Sequence, residues 1–71
     1  MKYYWIITDL RSSILAGLFK DNDIFVISDE ALEILVTAPE HTDFQKLIWN
    51  INPSAYAEIR EADPDDIEEF L

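Results

Sequence analysis

Half of the stretch "EIREADPDDIEEFL", from Glu58 to Leu71, is carboxylate: Glu58, Glu61, Asp63, Asp65, Asp66, Glu68 and Glu69. Carboxylates at this density can shuttle protons, hold a divalent cation, or attract a cationic partner. The first two uses need more than the sequence offers. In so acidic a chain, two neighbouring acids carry no specific sign of acid–base work. A calcium loop needs an oxygen ligand at its fifth position and a glycine at its sixth. "DPDDI" puts Ile67 at the fifth position, and "DNDIF" puts Phe25 there.

Other chemistry fares no better. His41, the one histidine, sits in "PEHTD" between Glu40 and Asp43 and reads as an exposed loop residue. A metal centre needs more fixed ligands than one imidazole and nearby carboxylates supply. The chain has no cysteine, which excludes disulfides and thiolate metal sites. With Gly17 as its single glycine it cannot build a phosphate loop. Ser12, Ser13, Ser28 and Ser54 occupy cap or turn contexts, and none lies in a nucleophile elbow. The expectation is a protein that is not an enzyme and uses no cofactor and no metal.

Attraction remains. Fifteen acids against five bases give a formal charge of −10. Residues 1–57 carry eight acids and four bases, whereas residues 58–71 carry seven acids and one base. Such a field repels nucleic acid and anionic membrane and draws in basic protein surfaces. The longest apolar runs, "YYWII" and "ILAGLF", fall far short of the roughly 20 residues of a membrane span. Lys2 and the run after it faintly resemble a signal peptide, but Asp9 closes the run and no small-residue cleavage site follows. A soluble cytoplasmic protein is expected.

Some of the acids have local reasons. Asp63, Asp65 and Asp66 would start a short helix, where carboxylates meet orphan N–H groups and the positive end of the macrodipole. Glu68 and Glu69 would lie near its negative end, and Glu58 and Glu61 add charge with no local benefit. The bland reading is a solvated acidic end that aids solubility. The sharper one is a surface for docking, and a second acidic set (Asp29, Glu30 and Glu33) would extend it if both sets share one side. Two aromatic residues fit the same role. Trp49 projects about 150° from the apolar stripe of its helix, and Tyr56 points outward from an edge strand; both are candidate anchors. The alternative for Trp49 is a second small cluster, since tryptophan is usually mostly buried.

The elements that would position these groups follow from periodicity. Tyr3 to Thr8 is aromatic and β-branched on both faces and reads as a central strand. Residues 10–20 favour a helix capped by Asp9, with Leu10, Ile14, Leu15, Leu18 and Phe19 on one arc, over a strand paired with Ile24 to Ser28. Ile24 to Ser28 reads as a strand. Asp29 to Ala38 reads as a helix, with Ala31, Ile34, Leu35 and Ala38 inward, Leu32 and Val36 beside them, and Asp29, Glu30, Glu33 and Thr37 in water. Pro39 ends it. A further helix starts at Thr42, with a capping box completed by Gln45 and a core stripe of Phe44, Leu47, Ile48 and Ile51. Ala55 to Glu61 alternates as an edge strand, with a helical turn capped by Ser54 as the alternative. The last helix has Asp63 as cap, Pro64 at its first position, and Ile67, Phe70 and Leu71 as its apolar side.

One α+β domain over residues 1–71 results: a two- to three-stranded sheet covered by three or four short helices. A domain this small leaves little room for a substrate cleft. The expected function is non-catalytic binding of a basic protein surface, such as a nuclease or another nucleic-acid-binding protein. Glu58, Glu61, Asp65, Asp66, Glu68, Glu69, Asp29, Glu30, Glu33, Trp49 and Tyr56 are the candidate contacts. On the expected helix the carboxylates of Asp29, Glu30 and Glu33 would stand about 5–6 Å apart, comparable to the phosphate spacing of a nucleic acid strand, so mimicry is geometrically possible. Small acidic phage-encoded inhibitors of host nucleases are similar in size and charge, a resemblance of composition alone. The alternatives are an antitoxin or immunity protein, a structural subunit, and a small enzyme or metal protein built on His41.

Overall fold

The computed structural model describes residues 2–30, 33–65 and 67–70, without the Ser12 side chain. The run "YYWII" forms β1 (Lys2–Thr8) and continues into Asp9 and Leu10, where the Thr8 hydroxyl accepts from the Leu10 N–H at 3.3 Å. Helix α1 (Ser12–Asp21) follows and returns the chain to β2 (Phe25–Glu30) and β3 (Glu33–Ala38). Helix α2 (Phe44–Ile51) and β4 (Ala57–Ala62) come next, and a 3-10 turn (Glu68–Phe70) closes the chain. The four strands make one antiparallel sheet in the order β2-β3-β1-β4. The α+β class stands, with four strands and two helices among the described residues.

Alternation along the strands gives the sheet two faces. Tyr4, Ile6, Ile34, Val36, Ala38, Ala57 and Ile59 lie on the helical face. There Leu15 and Phe19 of α1 and Phe44 and Ile48 of α2 complete the main core. The ring of Tyr4 meets Phe44 edge-on at 5.0 Å. Tyr3, Trp5, Leu35 and Ala62 lie on the other face, which the C-terminal segment crosses. Ile67 is fully buried against it and Phe70 meets Trp5 edge-on at 5.7 Å. We call this second side the tail face.

Several expectations need correction. Asp29 to Ala38 is no helix: Asp29 and Glu30 end β2, and Glu33–Ala38 is β3. Ala31 and Leu32 lie outside the described residues. β3 runs between β2 and β1, so Ile34, Val36 and Ala38 are buried on the helical face and Leu35 on the tail face. A strand buried on both faces loses its alternation, and the resulting apolar run mimics a helical stripe. The β-branched residues Ile34, Val36 and Thr37 carry the true preference.

Smaller corrections concern ends and stripes. Asp9 does not cap α1; the cap position is Arg11, with no side-chain bond. Asp43, and not Thr42, caps α2, its Oδ1 accepting from the Lys46 N–H at 3.1 Å. The Thr42 hydroxyl instead donates to the Pro39 carbonyl at 2.7 Å. Ile14 and Ile51, expected in the core, are 51% and 41% exposed. At the C-terminus a turn and a 3-10 segment replace the expected helix: Asp63 Oδ1 accepts from the Asp65 N–H at 3.0 Å, and the tight turn starts at Glu68. Leu71 lies outside the described residues.

Candidate docking face

The strand register decides which acids meet. Ile7 of β1 pairs with Glu33 of β3 and with Glu58 of β4, and Glu33 pairs with Glu30 of β2. Residues paired across antiparallel strands point to one side. Glu30, Glu33, Ile7 and Glu58 therefore form one row across the sheet, on the tail face. The two acidic sets share a side, in part.

The C-terminal segment adds to that side. Ile67 and Phe70 face the sheet, and residues three apart eclipse in a 3-10 turn, so Glu68 and Glu69 between them stay exposed. Asp63 and Asp65, both exposed, lead into the segment. Asp66 lies outside the described residues. Among the described residues the tail face thus gathers seven acids against one base, Arg60. The other four bases, Lys2, Arg11, Lys20 and Lys46, belong to the helical face, its helices or their connections.

Two of the expected acids do not join. Asp29 pairs with Ile34 and so points to the helical face. Glu61 pairs with Tyr4, also on the helical face, and bonds Lys2 Nζ at 3.0 Å. That carboxylate, first by its hydrogen bond and then by its charge, raises the Lys2 ammonium above its ordinary pKa. Glu61 is spoken for.

Glu58 is held from both sides. Its Oε2 accepts from the Tyr56 hydroxyl at 3.3 Å, and its Oε1 accepts from Arg60 Nε and Nη2 at 3.3 and 3.2 Å. Tyr56, 57% exposed, therefore stands at the rim of the tail face. Its N–H is tied to Asp9 Oδ1 at 3.1 Å. Trp49 lies elsewhere, on α2. Its indole N–H donates to the Ala55 carbonyl at 3.0 Å, and 43% of its surface remains exposed. It braces the connection to β4 and is not part of the acidic face.

A cavity of about 160 Å³ opens on the tail face between Trp5, Ile7, Glu33 and Arg60. Another, of about 220 Å³, lies between Tyr4, Thr42, Asp43, Phe44, Gln45 and Ile59. Both fall below the roughly 300 Å³ at which small-molecule sites begin. His41 is exposed and takes a left-handed φ of 68°, which reads as a turn residue. Among the described residues no group of three or more His, Asp and Glu side chains could hold a metal ion, and no helix is long and apolar enough to cross a membrane.

What the tail face offers is charge on a firm support: carboxylates on paired strands, with an apolar floor of Trp5 and Ile7 beneath. The sequence did not point to Trp5 and Ile7 as part of a surface. Their signal was an apolar strand, which a wholly buried strand gives equally well. In comparisons with known proteins, no family model, curated protein or solved structure matches this chain.

Proposed function

We propose that this protein is a non-catalytic docking module that binds a basic protein surface through its tail face. Within that class it acts as an inhibitor, occupying the site where its target would hold nucleic acid. The observation that carries this reading is the register: Glu30, Glu33 and Glu58 fall in one row on the side crossed by Glu68 and Glu69. The strand spacing sets Glu30 and Glu33 roughly 5 Å apart and Glu33 and Glu58 roughly 10 Å apart. Nucleic acid strands present one charge per roughly 3.4 Å of rise, a spacing of the same order. Four of the five bases lie off this side; the fifth, Arg60, pairs with Glu58, and among the described residues Glu30, Glu33, Glu68 and Glu69 have no ion-pair partner.

The test is capture from lysate at low and high salt, followed by competition with DNA. Recovery of a basic nucleic-acid-binding protein at low salt, displaced by DNA, supports the reading. Reversal of Glu30, Glu33, Glu68 and Glu69 to lysine must abolish that capture; retention of the partner by the reversed protein would sink it. The exposed ring of Tyr56 beside Glu58 favours a second reading, an antitoxin or immunity protein anchored on one toxin. A captured partner that DNA fails to displace, and that Tyr56→Ala releases, would select it.

A further inference from the structure

Among the described residues the sheet has two edge strands, β2 and β4, and they differ. The outer strand β2 is broken by a bulge between Val26 and Ser28 and carries no base, only Asp29 and Glu30. A bulge twists an edge away from further pairing. β4 is regular: it pairs with β1 without interruption from Ala57 to Ala62. After Ala62 the chain crosses the tail face, where Ile67 and Phe70 pack, and among the described residues no strand pairs with the outer side of β4. Gln45 Nε2 reaches the Ala57 carbonyl at 3.4 Å, a long bond at one end of the strand.

The sequence of β4 is self-complementary. Backbone groups point alternately inward and outward along a strand, so an antiparallel copy must pair odd positions with odd and even with even. Three central registers satisfy this. Centring on Glu58 sets Glu58 against Glu58, and centring on Arg60 sets Arg60 against Arg60. Centring on Ile59 sets Ile59 against Ile59 and puts each Glu58 opposite the other copy's Arg60, on one face. Only that register is charge-complementary. It also converts the Glu58–Arg60 contact within one strand, at 3.2 Å, into two such contacts between copies.

We infer that β4 is a self-association edge, and that two copies pair through it antiparallel about Ile59 to form an eight-stranded sheet with twofold symmetry. The twofold axis stands perpendicular to the sheet, so both tail faces point the same way. The dimer therefore presents one continuous acidic surface about 40 Å wide, eight strands at roughly 4.8 Å each. The pairing itself does not depend on the docking role.

Sedimentation velocity across a concentration series tests it. The natural chain should dimerise. Glu58→Arg and Arg60→Glu should each weaken association about tenfold, through lost pairs and new like-charge contacts. The double exchange Glu58→Arg with Arg60→Glu, which keeps the net charge, should restore it. An independent probe uses the lack of native cysteine: Ile59→Cys should be trapped as a disulfide dimer under mild oxidation. Ala57→Cys, about 13 Å from its counterpart in this register, should not. A natural chain that stays monomeric, single reversals without effect, or a double exchange no better than the singles would each overturn the proposal. None of these readouts involves the basic partner, so they fail or succeed separately from the docking reading.

Discussion

Glu33 and Glu58 stand on either side of Ile7 in one row, two strands apart on the same face of the sheet. Two strand spacings put them about 10 Å from one another, and at that distance exposed like charges in water repel by only a few tenths of a kcal/mol. Glu33→Gln should therefore leave folding stability within about 0.5 kcal/mol of the natural chain, or raise it slightly. Binding to a basic partner should weaken, chiefly through a slower association rate that salt suppresses. Chemical denaturation and stopped-flow mixing at two ionic strengths check both halves.

The bond from Trp49 to the Ala55 carbonyl gives the tryptophan a structural task. Trp49→Phe keeps a ring and deletes the donor, which should cost about 0.5–1.5 kcal/mol, the net worth of one hydrogen bond. If Trp49 served only as an exposed anchor, urea denaturation would show no loss. The same variant should leave capture by the tail face intact, because the indole belongs to the helical side.

Asp43 caps α2, whereas the sequence pattern pointed to Thr42. Asp43→Ala should cost about 1 kcal/mol, the typical value of an N-cap. Thr42→Ser keeps the hydroxyl that reaches Pro39 and should cost less. Thermal unfolding checks this, and an Asp43→Ala variant as stable as the natural chain would show that its carboxylate does not cap α2.

How much of this was legible in the residues depends on whether local order decided the structure. α1 was readable as the preferred of two readings because Leu15, Leu18 and Phe19 recur at helical spacing; that Asn22 closes it, its Nδ2 donating to the Leu18 carbonyl at 2.8 Å, only the structure shows. β1 was readable from its aromatic and β-branched run. β3 was not: between β1 and β2, Ile34, Val36 and Ala38 are buried under the helices and Leu35 under the C-terminal segment, and partners so distant in sequence leave no local period. The acidic tail face was half legible for the same reason. Composition located the acids near the C-terminus, yet only the pairing of Glu33 with Ile7, and of Ile7 with Glu58, aligns them across strands.

Gly17 lies in the middle of α1, exposed, with no heavy atom within 4 Å of where a β-carbon would stand. Gly17→Ala should therefore stabilise the protein by about 0.5–1 kcal/mol. For a domain of this length that corresponds to a rise of roughly 3–6 °C in Tm. No change in Tm would mean that α1 does not hold its helical form at this position.

Ile67 carries the heaviest load in the C-terminal segment. It is fully buried against Leu35 and Ala62, while Glu68 and Glu69 beside it are exposed. Ile67→Ala should cost about 2–5 kcal/mol, a large share of a stability of about 5–15 kcal/mol. Glu68→Ala should stay within about 0.5 kcal/mol. In a Trp49→Phe background, Trp5 reports on the segment directly, since its ring meets Phe70. Loosening by Ile67→Ala should shift Trp5 emission to the red and speed hydrogen exchange of residues 63–70 ahead of global unfolding. It should also weaken capture of a basic partner, because Glu68 and Glu69 are held over the tail face only while Ile67 is seated. A variant that binds as tightly as the natural chain, with Trp5 emission already shifted, would show that these two acids act from an unanchored segment.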